Sequence, residues 1–248
     1  MGGIADFLPI GGSGHRILVE RIVFDHAYDR GFAGLCELSA ALAAVVALRT
    51  EIFEVLHSVG RAGAVRRSVA VLVLVATGIA AVISLAFADA YVELSGDLIV
   101  VGVLFLVSGL LIYIAEEIGR RMHALSSLNL PGAMLIGLLG ALAALPGISR
   151  TGATISGGML LGLTRQSATR FALILTVPLL VVAGLQNLSS GPSEVGTWAA
   201  VIGGAAAFTG AFIAVAFLRW FVRRASFMGF AYYLWAIGVF TIGYEYLG

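Results

Sequence analysis

Lysine is missing from this sequence: all 15 basic residues are arginine, set against 14 carboxylates for a formal net charge of +1. A balance so close to neutral gives no basic surface of the kind that grips nucleic acid through its phosphates, so no nucleic-acid partner is expected. Cysteine is almost missing as well. The single Cys36 excludes an internal disulfide, and with no CxxC or Cys/His cluster around it, it reads as a packed thiol. The four histidines follow no zinc-ligand spacing. Charge of either sign is scarce, 12% of 248 residues, about half the share of roughly 25% found in soluble domains. Water is therefore not the main solvent. The opening Met1-Gly2-Gly3-Ile4-Ala5-Asp6 has no basic stretch ahead of an apolar one, so no cleavable signal is expected.

What fills the chain instead is apolar: 60% of residues are hydrophobic, and the mean hydropathy is +1.01. The apolar residues come in runs of roughly 20, the length that carries an α-helix across about 30 Å of hydrocarbon. The clearest spans are predicted at 67–88, 97–115, 168–188, 197–222 and 227–247, with a further one at 34–56 that Glu37 and Arg49 interrupt. The fold class is thus an all-α, polytopic integral membrane protein, a single membrane domain over 1–248. Arginines gather at four turns: Arg49 with Arg61, Arg66 and Arg67; Arg120 with Arg121; Arg165 with Arg170; and Arg219 with Arg223 and Arg224. By the positive-inside rule these turns are cytoplasmic, and the turns bearing Asp89, Glu93 and Asp97, or Glu194, face outward. Trp198, Trp220, Trp235, Tyr244 and Tyr246 lie near span ends, as an aromatic belt requires.

Two stretches differ from the rest. Residues 1–24 and 130–163 are apolar, yet each is broken near a proline by glycines and hydroxyl residues. Non-helical backbone at membrane depth survives only when buried in protein or lining a wet cavity, so function is expected at these breaks. Leu8-Pro9-Ile10-Gly11-Gly12-Ser13-Gly14 in the first recurs, with one residue inserted, as Leu145-Pro146-Gly147-Ile148-Ser149-Arg150-Thr151-Gly152 in the second. Paired interrupted segments in two halves point to inverted repeats, here 1–125 and 126–248, with a site between them.

Three features of the breaks carry chemistry. Ser149-Arg150-Thr151 lies between a Pro-Gly break and the helical run 153–163, which puts hydroxyls at N-cap positions and Arg150 in the first turn. Helix N-termini present unpaired N–H groups and a positive dipole end, and arginine adds a fork matched to phosphate oxygens, so this is an anion site. Thr154, four residues on, shares the face of Arg150. In the first break, Asp6 can hold a divalent cation or act as a base. His15 can attack phosphorus or carry protons, and Ser13 can cap the next helix or bind phosphate. Gly158 and Gly162 form a GxxxG pair whose ordinary role is close helix packing.

These residues resemble a known family. Leu145 through Gly158, running on to Gly162-Leu163-Thr164-Arg165, is similar to the PGxSRSG motif of the undecaprenyl-diphosphate phosphatase, or bacitracin-resistance, family. Phe7-Leu8-Pro9 with Ser13-Gly14-His15 resembles its E-G-x-x-E-F-L-P-x-S-S-x-G-H signature, and Phe217 to Phe221 with Phe230-Ala231-Tyr232-Tyr233 resembles its C-terminal region. The likeness implies a hydrolase of the cell membrane that converts a polyprenyl diphosphate, the lipid carrier of cell-wall precursors, to the monophosphate and inorganic phosphate. It implies two inverted repeats, each with a re-entrant broken segment. By the same likeness Ser149, Arg150, Thr151 and Thr154 bind substrate phosphate, while Asp6, Ser13, His15, Ser149 and Arg150 are catalytic. Asp6 holds the divalent cation, magnesium or calcium, and a homodimer is left open. The chain departs from the pattern at Gly2, where the family has its first glutamate, at Asp6 in place of the second, and at Gly11-Gly12 in place of a serine pair. The phosphate clamp is complete and the carboxylate half is thinned. A non-hydrolysing carrier or scramblase of prenyl phosphates, which needs the clamp but no carboxylate pair, is the alternative.

Overall fold

The fold is seen in a computed structural model, which describes residues 2–23, 29–57, 68–191, 193 and 195–247. Twelve α-helices follow one another among the described residues: α1 (Gly2–Phe7), α2 (Gly12–Val23), α3 (Arg30–Ala47), α4 (Arg49–His57), α5 (Val69–Ala86), α6 (Ala88–Ser95), α7 (Leu98–Ile118), α8 (Leu130–Ala141), α9 (Arg150–Leu160), α10 (Arg165–Ser189), α11 (Thr197–Phe221) and α12 (Met228–Leu247). Their starts are written locally: Asp29, Asp97, Asn129, Ser149 and Thr164 each cap a helix by accepting a backbone N–H with the side chain.

Five of these helices, α3, α5, α7, α10 and α11, are long and apolar enough to cross a membrane. At 25 residues each, α10 and α11 reach about 37 Å at 1.5 Å per residue, more than the hydrocarbon thickness. Large apolar side chains such as Leu74, Val82, Val107 and Ile202 are exposed on them, a surface that lipid rather than water covers. The chain is a multi-pass, all-α membrane protein.

Three expectations change. The run at 34–56 is not one helix: α3 ends at Ala47 and α4 starts at Arg49, so the chain breaks where the charges begin. The run at 227–247 does form a 20-residue helix, α12, but its glycines and tyrosines leave it outside the helices apolar enough to span by composition. Trp235 is not a belt residue, because it packs between α12 and α7 and donates its indole N–H to the Leu106 carbonyl at 3.2 Å. Arg61, Arg66, Arg67 and Glu194, used to orient the chain, lie outside the described residues.

Small residues bring the backbones together. α3 and α10 cross where a Cβ on Gly34 would lie 2.7 Å from the Gly184 carbonyl oxygen, and α7 meets α12 where one on Gly102 would lie 2.9 Å from that of Gly238. Lipid tails are as apolar as leucine, so such close van der Waals contact, rather than escape from water, holds membrane helices side by side. Around these crossings α1 packs on α11, α8 on α5, and α9 is wedged among α7, α8 and α10.

Candidate functional site

Both breaks come from the same local chemistry. α1 stops at Phe7, Pro9 has no N–H for a continuing helix, Gly11 turns the chain at φ +74°, and α2 restarts at Gly12. After α8 the chain passes a tight turn at Leu142–Ala144, then Pro146 and Gly147 at φ +103°, before α9 begins. Ser149 is the N-cap of α9, its Oγ accepting the Gly152 N–H at 3.1 Å, and Arg150 is the first helical residue, as expected.

The fold brings the two breaks face to face. A Cβ on Gly11 would sit 2.4 Å from the Gly147 carbonyl oxygen, and one on Gly14 would sit 2.8 Å from the Gly147 Cα, so only glycines permit this approach. Two hydrogen bonds cross the join: Gly147 N–H donates to Ser13 Oγ at 3.2 Å, and Thr151 Oγ1 donates to the Asp6 carbonyl at 2.8 Å. Ser108 of α7 accepts the Ser149 N–H at 3.0 Å from behind.

Beside the join lies a cavity of about 500 Å³. Asp6, Ser13 and Arg16 reach it from the first segment, Arg150 from the second, Glu37 from α3 and Asn187 from α10. No carboxylate among the described residues stands within ion-pair distance of the Arg150 guanidinium. The Asp6 Oδ2 atom is buried with no hydrogen-bond partner, a position that is costly unless a ligand or cation completes it. Glu37 is 8% exposed, its Oε2 accepts from Asn187 Nδ2 at 2.8 Å, and its Oε1 lies 3.7 Å from a nitrogen of Arg16. A cationic fork and an unsatisfied carboxylate sharing one cavity of this size suit the binding of a phosphorylated group together with a water molecule.

Of the residues expected at the site, Asp6, Ser13 and Arg150 do line this cavity. Ser149, Thr151 and Thr154 are each 1% exposed and sit one layer behind it. The Thr154 hydroxyl turns back to the Arg150 carbonyl at 2.9 Å, so these three shape the helix start that carries Arg150. His15 is not among the residues that line the cavity. Its Nδ1 stands 2.9 Å from the Gly11 carbonyl, which can only accept, so Nδ1 carries the proton and Nε2 accepts from the Tyr233 hydroxyl at 2.6 Å. The imidazole stacks on Tyr233 and meets Phe105 edge-on. Gly158 packs against Ala168 as close helix packing requires, whereas Gly162 lies past the end of α9 at φ +88°.

Sequence reasoning missed Arg16, Glu37 and Asn187. The signal was present for Glu37, a carboxylate interrupting an apolar run, because a charge inside a membrane segment is costly unless paired or used. Arg165, placed by sequence at a cytoplasmic turn, pairs with Glu116, which is 3% exposed, and Arg121 stands 3.4 Å from the same carboxylate. Glu51 and Glu54 pair with Arg219 and Arg170.

The family model described as bacitracin resistance protein BacA matches residues 1–240 of this chain. The chain is 35% identical to undecaprenyl-diphosphatase 1 of Chromobacterium violaceum, covering 97% of this chain and 92% of that one. It is 33% identical to the undecaprenyl-diphosphatase of Verminephrobacter eiseniae, over 97% and 90% of the two chains, and 32% identical to that of Korarchaeum cryptofilum, over 96% and 93%. A match along nearly the whole length, including both broken segments and the arginine of the second, means that this chain belongs to the bacitracin resistance protein BacA family.

Proposed function

We propose that this protein hydrolyses undecaprenyl diphosphate to the monophosphate and inorganic phosphate at the cavity between its two broken segments, in the plasma membrane. The observation that carries this is the meeting of Arg150, at the start of α9, with the unsatisfied carboxylate of Asp6 in one cavity. It agrees with the activity for which the relatives are named. The cavity is also lined by Tyr91 and Ser95 of α6 and by Ser190 past α10, on the side opposite the arginine-rich turns, so it faces outward.

Arg150 and the N–H groups of the α9 start hold the terminal phosphoryl group, and Asp6 orients a water molecule against its phosphorus. The water oxygen bonds to phosphorus, the bond from phosphorus to the bridging oxygen breaks, and that oxygen leaves with the prenyl monophosphate. The water proton passes to Asp6. Arginine charge already in place offsets the negative charge building on the phosphoryl oxygens. His15, held by Gly11 and Tyr233, braces the turn in this arrangement, and a role in attack or proton transfer requires it to leave Tyr233. Among the described residues no three His, Cys, Asp or Glu side chains gather into a metal site. A magnesium or calcium ion fits only as Mg²⁺ is held in phosphate enzymes, on one carboxylate with substrate oxygens and water, and the orphaned Asp6 oxygen is the donor for it. Such an ion would supply further charge stabilisation at the phosphoryl oxygens.

Two inverted repeats, 1–125 and 126–248, form part of the same proposal. The pairing supports them: α1–α2 answers α8–α9, α1 packs on α11 as α8 does on α5, and α3 meets α10 as α7 meets α12.

The test is phosphate release from a prenyl diphosphate by purified protein in detergent, with and without chelator. Release by wild type that is lost in Asp6→Asn is expected. Wild type that releases none, yet moves prenyl phosphates across vesicle membranes, would make it a carrier instead.

A further inference from the structure

We infer that Arg16 is a second phosphate-binding residue, which grips the other phosphoryl group of the diphosphate and is positioned by Glu37 and Asn187. The inference rests on a diphosphate being the ligand of this cavity. Arg16 lies on α2, one residue past His15, and lines the same space as Arg150 from the opposite broken segment. Its ion pair with Glu37, at 3.7 Å, is longer than a direct hydrogen bond, so the carboxylate steers the guanidinium without closing on it. Glu37 is itself fixed by Asn187, so α3 and α10 together aim the Arg16 head.

Position and charge balance both support the assignment. An ideal Cβ on Gly2 would lie 3.8 Å from Asp6 Oδ2 and 3.9 Å from a guanidinium nitrogen of Arg16. Arg16 therefore occupies the ground in front of Gly2, where this chain has no side chain. Asp6, Glu20 and Glu37 face the cavity, matched by Arg16, Arg30 and Arg150. Remove Arg16 and the carboxylates outnumber the arginines, in a space that must admit about two to three negative charges on a prenyl diphosphate. One planar fork matches one phosphoryl group, so two groups call for two forks.

The rival role is a brace between α2 and α3. Arg16→Gln alone leaves Glu37 buried without its counter-ion, which destabilises the fold whatever Arg16 binds. The decisive protein is therefore the double variant Arg16→Gln with Glu37→Gln, which is neutral at both positions and keeps an acceptor for Asn187. Purified wild type and double variant are titrated with farnesyl methylenediphosphonate, a non-hydrolysable diphosphate analogue, and with farnesyl monophosphate. The double variant is expected to bind the diphosphonate on the order of ten- to a hundredfold more weakly, with monophosphate affinity changed by less than about threefold. Arg150→Gln is expected to weaken both. A double variant that binds the diphosphonate as wild type does, or loses both ligands equally, overturns the assignment. Wild type that binds the diphosphonate but releases no phosphate from farnesyl diphosphate overturns the hydrolase proposal and leaves Arg16 standing.

Discussion

Arg150 was marked by a local property, a charge flanked on both sides by apolar residues at a helix start, and it lines the cavity as expected. Its worth depends on geometry as well as charge, because a guanidinium offers paired donors to phosphate oxygens and an ammonium does not. Arg150→Ala is expected to lower phosphate release by at least about a hundredfold, the cost of losing one well-placed oxyanion donor. Arg150→Lys is expected to recover no more than about a tenth of wild-type activity. Arg223→Ala, just past the end of α11 in the arginine-rich turn, is the control and is expected to stay within about twofold. Arg165 is no such control, since removing it leaves the buried Glu116 with fewer partners. Equal loss at Arg150 and Arg223 in the same release assay would mean that Arg150 has no special part. The hydroxyls beside Arg150 were harder to judge from sequence, since a threonine one residue from a site and one in it have the same spacing. Burial decided that Thr151 and Thr154 stand behind the helix start.

Pro9 and Pro146, each followed by a glycine at positive φ, made the two breaks legible without tertiary information. Why the breaks need glycine became visible only once they were seen to touch. Gly147→Ala would place a Cβ 2.7 Å from the Val101 carbonyl oxygen, at a φ of +103° that side chains rarely adopt. The backbone strain alone is about 1–2 kcal/mol, and the clash adds to it. The variant is expected to melt at lower temperature in detergent and to lose activity in step, as the second break shifts off the first. Gly78→Ala, in mid-α5 with nothing within 4 Å of the new methyl, is expected to melt at or above the wild-type temperature. Thermal unfolding followed by tryptophan fluorescence checks both, and matching shifts at the two sites would show that the close approach is unimportant. The division between α3 and α4 was missed because hydropathy averages over a window and does not see one helix end and another start within two residues.

Charge placement predicts the orientation of the chain, with the cavity at the end away from the turns of Arg49, Arg165 and Arg219. In a Cys36→Ser background, Glu93→Cys is expected to react with a membrane-impermeant thiol reagent in intact cells, and Arg223→Cys only after the membrane is opened. The reverse pattern would turn the site toward the cytoplasm. The class of the molecule, four of its spans, its two breaks and the arginine of the second break were legible in the sequence alone, because hydropathy over some twenty residues and the Pro-Gly chemistry of a turn are local quantities. Which charges share a cavity was not. Glu37 and Asn187 are 150 positions apart, and Gly147 and Ser13 are 134 apart. A buried charge takes whatever partner the packed helices bring to it, so the Arg16, Glu37 and Asn187 group exists only where α2, α3 and α10 converge, and no spacing along the chain records that meeting.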